Sequence, residues 1–187
     1  MTKFFTITIL LFTLIACGQT SVKQESDVNK TKTIEGWKTL SENNYAIQYP
    51  SNWELNQNGQ MGTNFILLSS LENKEDQFRE NVNLIIQDLT SRNIDLDKYS
   101  EISEGQVKTM ITNSNLIESK RIKNGNNEYH QLIYTGDQGV YHLKFEQYYW
   151  VENEKAYVLT LTCEQSTFSE YKEIGENILN SFLFTKQ

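Results

Sequence analysis

Polar and apolar residues alternate with a period of two through much of the C-terminal half of the chain. The pattern predicts a three-strand meander over residues 129–135, 140–151 and 155–163. Turn chemistry separates the runs: Gly136-Asp137-Gln138-Gly139 at the first joint and Glu152-Asn153-Glu154 at the second. In the middle run Tyr141, Leu143 and Phe145 alternate with His142, Lys144 and Glu146. In the third, Tyr157, Leu159, Leu161 and Cys163 alternate with Val158, Thr160 and Thr162. These two patterns conflict. A two-residue Asn153-Glu154 loop would pair Phe145 with Thr162 and Glu146 with Leu161, setting apolar positions against polar ones. A slip of one residue restores the match, so a three-residue turn or a β-bulge near Gln147 is expected. Tyr148-Tyr149-Trp150 then puts aromatic rings on both faces of one strand. Either helices cover both faces, or Tyr148 and Trp150 form a partly exposed patch for a partner.

Shorter runs come first along the chain. Residues 37–40 and 45–49 flank Glu42-Asn43-Asn44 and predict a hairpin, which Pro50 ends because it has no amide proton. Strands are further predicted at 65–71, 82–89 and 116–123, with Asn124-Gly125 turning the last into the meander. Helical periodicity appears twice. Asp95 can cap a helix whose stripe is Leu96, Tyr99, Ile102, Val107, Met110 and Ile111, weakened at Gly105 by roughly 1 kcal/mol relative to alanine. Thr167-Phe168-Ser169-Glu170 has the form of a capping box and opens a stripe of Tyr171, Ile174, Ile178, Leu179 and Phe182. The expectation is an α+β fold: a twisted antiparallel sheet of about six to eight strands, with helices near 95–112 and 167–181.

Composition changes the picture at the N-terminus. Lys3 precedes an uncharged run from Phe4 to Ala16, too short to span a bilayer and suited to a signal peptide. The run ends Leu14-Ile15-Ala16-Cys17, which resembles the lipobox of bacterial lipoproteins. That resemblance implies fatty acylation of Cys17 (palmitate and related chains) and cleavage before it, hence membrane anchoring. The polar stretch that follows predicts a flexible tether. The expected division is a lipoprotein signal peptide at 1–16, a tether at 17–35 and one domain at 36–187. Gly18 carries no aspartate retention signal, which favours an outer-membrane, periplasm-facing address where two membranes exist. Net charge is −7 over 187 residues; loss of Lys3 with the leader takes it to about −8. An acidic chain without clustered Lys and Arg is not built for nucleic acid.

Within the predicted first hairpin, Tyr45-Ala46-Ile47-Gln48-Tyr49-Pro50-Ser51-Asn52-Trp53 resembles the opening of PsbP-like and DcrB-like domains of the PsbP superfamily. The pattern is aromatic-x-Ile-x-Tyr-Pro-x-x-Trp, and the order of elements fits over most of residues 37 to 184. The resemblance implies an α/β/α sandwich, with helices on both faces of the sheet. It also implies a domain that works by binding or assembly, without catalytic residues.

Candidate chemistry is sparse. The chain holds no G-x-S-x-G elbow, no H-E-x-x-H, no C-x-x-C and no phosphate-binding loop, and no cofactor is expected. A four-residue loop at 136–139 sets His142 opposite Ile133 and His130 opposite Phe145, on opposite faces, so they cannot share a metal. Asp95 and Asp97 suit a helix start, and Cys163 a buried position beside Leu159 and Leu161. The favoured function is a membrane-anchored cell-envelope lipoprotein with a non-catalytic domain. It would bind an envelope protein or small ligand, with His142, Tyr148 and Trp150 as partner-binding candidates. The alternative is an envelope hydrolase or metal-dependent enzyme, which requires His130, His142, Asp95, Asp97 or Cys163 to converge in one pocket.

Overall fold

The computed structural model describes residues 34–125 and 127–185. Cys17, the leader and nearly all of the tether lie outside them. The first hairpin, β1 (Trp37–Ser41) and β2 (Tyr45–Pro50), forms early in the chain. Next come β3 (Glu54–Asn56), β4 (Phe65–Leu68) and β5 (Asn81–Asp88). Helix α1 (Leu96–Met110) leads into β6 (Thr112–Asn124), β7 (Asn127–Gln138), β8 (Tyr141–Glu152) and β9 (Lys155–Glu164). Helix α2 (Phe168–Asn180) and the short β10 (Leu183–Phe184) close the fold. The main sheet is antiparallel, in the order β3-β4-β5-β9-β8-β7-β6.

One helix packs on each face of this sheet, as the α/β/α expectation holds. On one face α2 shares a core with Tyr45, Phe65, Trp150 and Leu159. On the other α1 shares one with Leu132, Tyr134, Tyr149 and Val158. The expected single sheet is divided, however. β1 and β2 leave the main sheet and pair with β10 in a small sheet of order β1-β2-β10. Ser181 ties this sheet to the end of α2: its hydroxyl accepts from the Gln48 amide at 2.9 Å and lies 3.1 Å from the Gln48 carbonyl oxygen.

The meander corrects two expectations. Its first turn is Gly139-Val140, with Gly139 at φ 62 and Gln138 paired to Tyr141, so Gly136 and Asp137 stay in the strand. A side chain at Gly136 would collide with Ile111, which closes the end of α1 onto the sheet there. The second turn is the two-residue Asn153-Glu154, at φ 51 and 57, the geometry of a type I′ hairpin. The predicted bulge does not exist: Phe145 pairs Thr162 and Glu146 pairs Leu161 in an unbroken register. The conflict seen in the alternation is resolved by burial instead. Glu146, with 0% exposure, enters the apolar core beneath α2, where its Oε1 accepts from Gln131 Nε2 at 2.6 Å. Its Oε2 has no partner among the described residues. Burial pushes this carboxyl above the ordinary range, and nearby Glu176 adds to the shift.

The helices diverge from expectation in different ways. Asp95 caps α1 as predicted, accepting from the Lys98 amide at 2.8 Å. The buried face of α1, however, is Tyr99, Ser100, Ser103 and Val107, while Ile102 and Met110 are 38% and 74% exposed. At α2 the capping box does not form. Thr167 adopts helical backbone angles, which turn its hydroxyl away from the first amides, and it donates instead to Glu80 Oε1 at 2.7 Å. The α2 stripe is buried at Ile178, Leu179 and Phe182. Each such side chain contributes roughly 1.5–3 kcal/mol on full burial.

Candidate functional site

The two serines on the inner face of α1 keep the helix from filling the surface it covers. Between α1 and strands β5, β7, β8 and β9 lies a cleft of ≈ 280 Å³, near the lower end of small-molecule sites. Its apolar walls include Ile85 and Val158 from the sheet and Val107 and Ile111 from the helix side. Its polar groups are the hydroxyls of Tyr99, Ser103, Tyr134 and Tyr149 and the amides of Gln87, Gln106 and Gln147. None of the lining side chains carries a charge at neutral pH. Burial pushes the Tyr99 and Tyr134 phenols up to about 12 and Tyr149 well above its usual value.

These groups are held in fixed orientations. The Tyr99 hydroxyl donates to Gln87 Oε1 at 2.9 Å. Tyr149 donates to Gln147 Oε1, and Gln147 Nε2 donates in turn to Thr160 Oγ1 at 3.0 Å. Ser103 returns its proton to the Tyr99 carbonyl at 2.9 Å. The ring of Tyr134 stacks on Phe145 at 4.7 Å, and burial is the cause that lifts its phenol. Such a site can bind and orient. It holds neither a base, an acid nor a nucleophile suited to neutral pH.

The residues singled out from the sequence are dispersed. Tyr148 and Trp150, expected as a partly exposed patch, are each 3% exposed in the core under α2. The β8 register turns both rings toward α2, where Trp150 meets Phe182 at 4.9 Å and Tyr148 stacks on Tyr129 at 4.4 Å. His142 is exposed, and its Nδ1 lies 2.6 Å from Asp137. Bonds from Asn113 and then His142 hold the Asp137 carboxyl below its usual value. His130 pairs Tyr149 across β7 and β8, while His142 pairs Asp137. The histidines thus occupy opposite faces, though each lies opposite a different residue from the one expected. Asp97 forms an ion pair with Arg121, and Cys163 is fully buried with its thiol pushed well up by desolvation.

His130 does meet a serine: its Nε2 is 2.7 Å from Ser119 Oγ. The Ser119 proton, however, goes to Glu104, so the histidine is not placed as its base. A nucleophilic triad needs the carboxylate on the far side of the histidine. Burial, with Arg121 beside it, lowers the His130 pKa. Among the described residues, no group of three or more His, Cys, Asp or Glu could hold a metal ion. Asp95 and Asp97 line one surface pocket with Arg121 and Glu128, whose lining includes neither histidine nor Cys163.

The element order and both layers now stand beside the sequence pattern, and a family model completes the match: PsbP covers residues 36–184. The chain belongs to the PsbP family. Solved members of this fold are distant in sequence. Cyanobacterial PsbP (CyanoP) of Synechocystis sp. PCC 6803 is 15% identical, with a TM-score of 0.56 over 83% of this chain and 96% of that one. LpqN of Mycobacterium tuberculosis, described as involved in cell envelope biogenesis, is 11% identical, with a TM-score of 0.56 over 80% and 91%. A Pseudomonas aeruginosa protein of unknown function is 11% identical, with a TM-score of 0.55 over 81% and 98%. At these identities the likeness is one of fold. No curated protein matches the chain. No described helix of this PsbP-family domain is long and apolar enough to cross a membrane.

The sequence reading missed the cleft. Its one signal was the polar residues at inward strand positions, Gln87 and Gln147, set among apolar neighbours.

Proposed function

We propose that this PsbP-family chain is a cell-envelope lipoprotein, anchored through acylated Cys17, whose domain binds without catalysis through the cleft under α1. The observation that carries the reading is the cleft itself: an uncharged site lined by tyrosines and glutamines, with no acid, histidine or thiol among its lining side chains. The lipobox-like Leu14-Ile15-Ala16-Cys17 supports the anchor. LpqN's description as involved in cell envelope biogenesis agrees with an envelope address, and Gly18 favours the outer membrane, periplasm-facing. Of the three residues expected to meet a partner, His142 alone is exposed. A surface contact there would be separate from the cleft.

Two measurements test this. Fractionation of cells should find the wild type in membranes and Cys17→Ser unprocessed or soluble; wild-type processing and membrane retention of the variant would remove the anchor. Hydrogen exchange of α1 in the full-length chain should slow when a small-molecule extract of the envelope is added. Ser103→Trp, which fills the cleft, should abolish that slowing while leaving the unfolding midpoint close to wild type. Equal slowing in both proteins would place binding elsewhere.

A further inference from the structure

We propose that the cleft under α1 takes an uncharged flat ring compound bearing a carbonyl oxygen (a ketone, lactone or cyclic amide), with the Tyr134 hydroxyl donating to that oxygen. This rests on the reading of the cleft as the binding site and adds the chemical class of its ligand.

Charge decides first. No lining side chain is ionised, so a charged ligand entering the cleft would lose its hydration without a compensating partner. Hydrogen-bond capacity decides next. The carbonyl oxygens of Gln87 and Gln147 already accept from Tyr99 and Tyr149, and the Gln147 amide nitrogen is committed to Thr160. The donors left facing the cleft are the Tyr134 hydroxyl and the Gln87 nitrogen, with the Gln106 amide on the exposed helix surface at the rim. A ligand rich in hydroxyl donors, such as a sugar, would have chiefly the Tyr and Ser103 hydroxyl oxygens to accept from it, because the amide oxygens of Gln87 and Gln147 are engaged. An acceptor satisfies the site. Shape decides last. The tyrosine rings and the facing aliphatic side chains of Ile85, Val107 and Val158 present apolar surfaces from helix and sheet. At ≈ 280 Å³ the space suits one compact ring system.

Three probes separate these requirements: coumarin, an uncharged bicycle with a lactone carbonyl; naphthalene, a bicycle without one; and coumarin-3-carboxylate, a charged analogue. Each is titrated into the full-length anchored chain in lipid nanodiscs while the methyl resonances of Val107, Ile111 and Val158 are followed. Comparing wild type with Tyr134→Phe for the same probe cancels its partition into lipid. The variant removes only the hydroxyl and keeps the ring that stacks on Phe145. Coumarin should shift these methyls, and Tyr134→Phe should weaken it roughly five- to tenfold, the worth of one hydrogen bond. Naphthalene should bind more weakly and ignore the variant, and the carboxylate should leave the methyls unmoved. If naphthalene matches coumarin, or if coumarin ignores Tyr134→Phe, the carbonyl assignment falls and the cleft remains the binding site. If the carboxylate binds as well as coumarin, the argument from charge falls. If no probe moves the methyls, the ligand class is wrong. Should Ser103→Trp then also leave the α1 exchange protection intact, the cleft itself is excluded.

Discussion

On one face of the main sheet Leu159, Leu161, Ile178 and Leu179 have no exposed surface, and Trp150, Phe182 and Phe184 pack ring against ring. On the other face α1 rests on Ser100 and Ser103, and a cleft stays open between helix and sheet. The same sheet therefore supports two kinds of packing. Under α2, bulky side chains interlock and the small sheet closes the layer. Under α1, small helix residues stand opposite tyrosines whose hydroxyls need polar company. A closed core yields stability, and a spaced one leaves room for a ligand. The two glycines inside the helices mark the contrast. A Cβ at Gly175 of α2 would lie 2.5 Å from Leu161 Cδ2 and 2.8 Å from Cδ1, whereas at Gly105 of α1 it would meet nothing within 4 Å.

The sharpest way to break this contrast is at the centre of the closed face. Ile178→Ala should cost about 2–5 kcal/mol, because the cavity it leaves lies in packed surroundings that collapse poorly. Urea unfolding reads it directly, and an unchanged midpoint would mean that α2 is not docked as described. Gly175→Ala should cost roughly 1–3 kcal/mol, since the helix must back away from Leu161 or force that side chain out of place. Thermal melting should show the loss; a gain would refute the close approach.

Glu146 probes the closed face electrostatically. Its folded carboxyl lies above the unfolded reference of 4.5, chiefly through burial. The folded state therefore binds this proton more tightly than the unfolded state does. Below the unfolded value the group is neutral in both states and costs nothing. As pH rises from there through the folded value, stability is progressively lost. Glu80, raised in the same direction by burial, acts in the same sense and remains in the variant. Glu146→Gln should accordingly be more stable than wild type near about pH 7, with the difference shrinking toward about pH 4. A difference that does not vary with pH would contradict the shift.

The smallest effect belongs to the open face and has the opposite sign. Gly105→Ala should stabilise by roughly 0.5–1 kcal/mol, because the helical position has space for a methyl group and the unfolded chain loses freedom. Chemical denaturation of both glycine variants side by side tests the pair; the same sign at both helices would erase the distinction between the faces.

Much of this architecture was legible in the alternation. The three meander strands, the Asp95 cap, the α2 stripe and the buried Cys163 follow from local pattern and side-chain chemistry, which residues carry with them wherever they fold. The PsbP-like opening at residues 45–53 lies in β2 and the turn after it, where Tyr45, Ile47, Tyr49 and Trp53 are all buried. What the pattern could not carry was parity. In β8 both faces are covered, so alternation no longer separates core from solvent. The type I′ turn at Asn153-Glu154 set the register, and that register carried Glu146 inward with Tyr148 and Trp150. A bulge looked necessary only because a carboxylate was assumed to stay out of the core; Gln131, a strand away, is what lets it in. Thr167 is a similar case. Its sequence neighbours suggest a cap, yet Glu80, distant in the chain, takes its proton. The cleft belongs wholly to tertiary structure. Gln87, Tyr99, Tyr134 and Gln147 come from four separate elements, and their bonding, which decides what chemistry remains open to a ligand, exists only once sheet and helix are packed together.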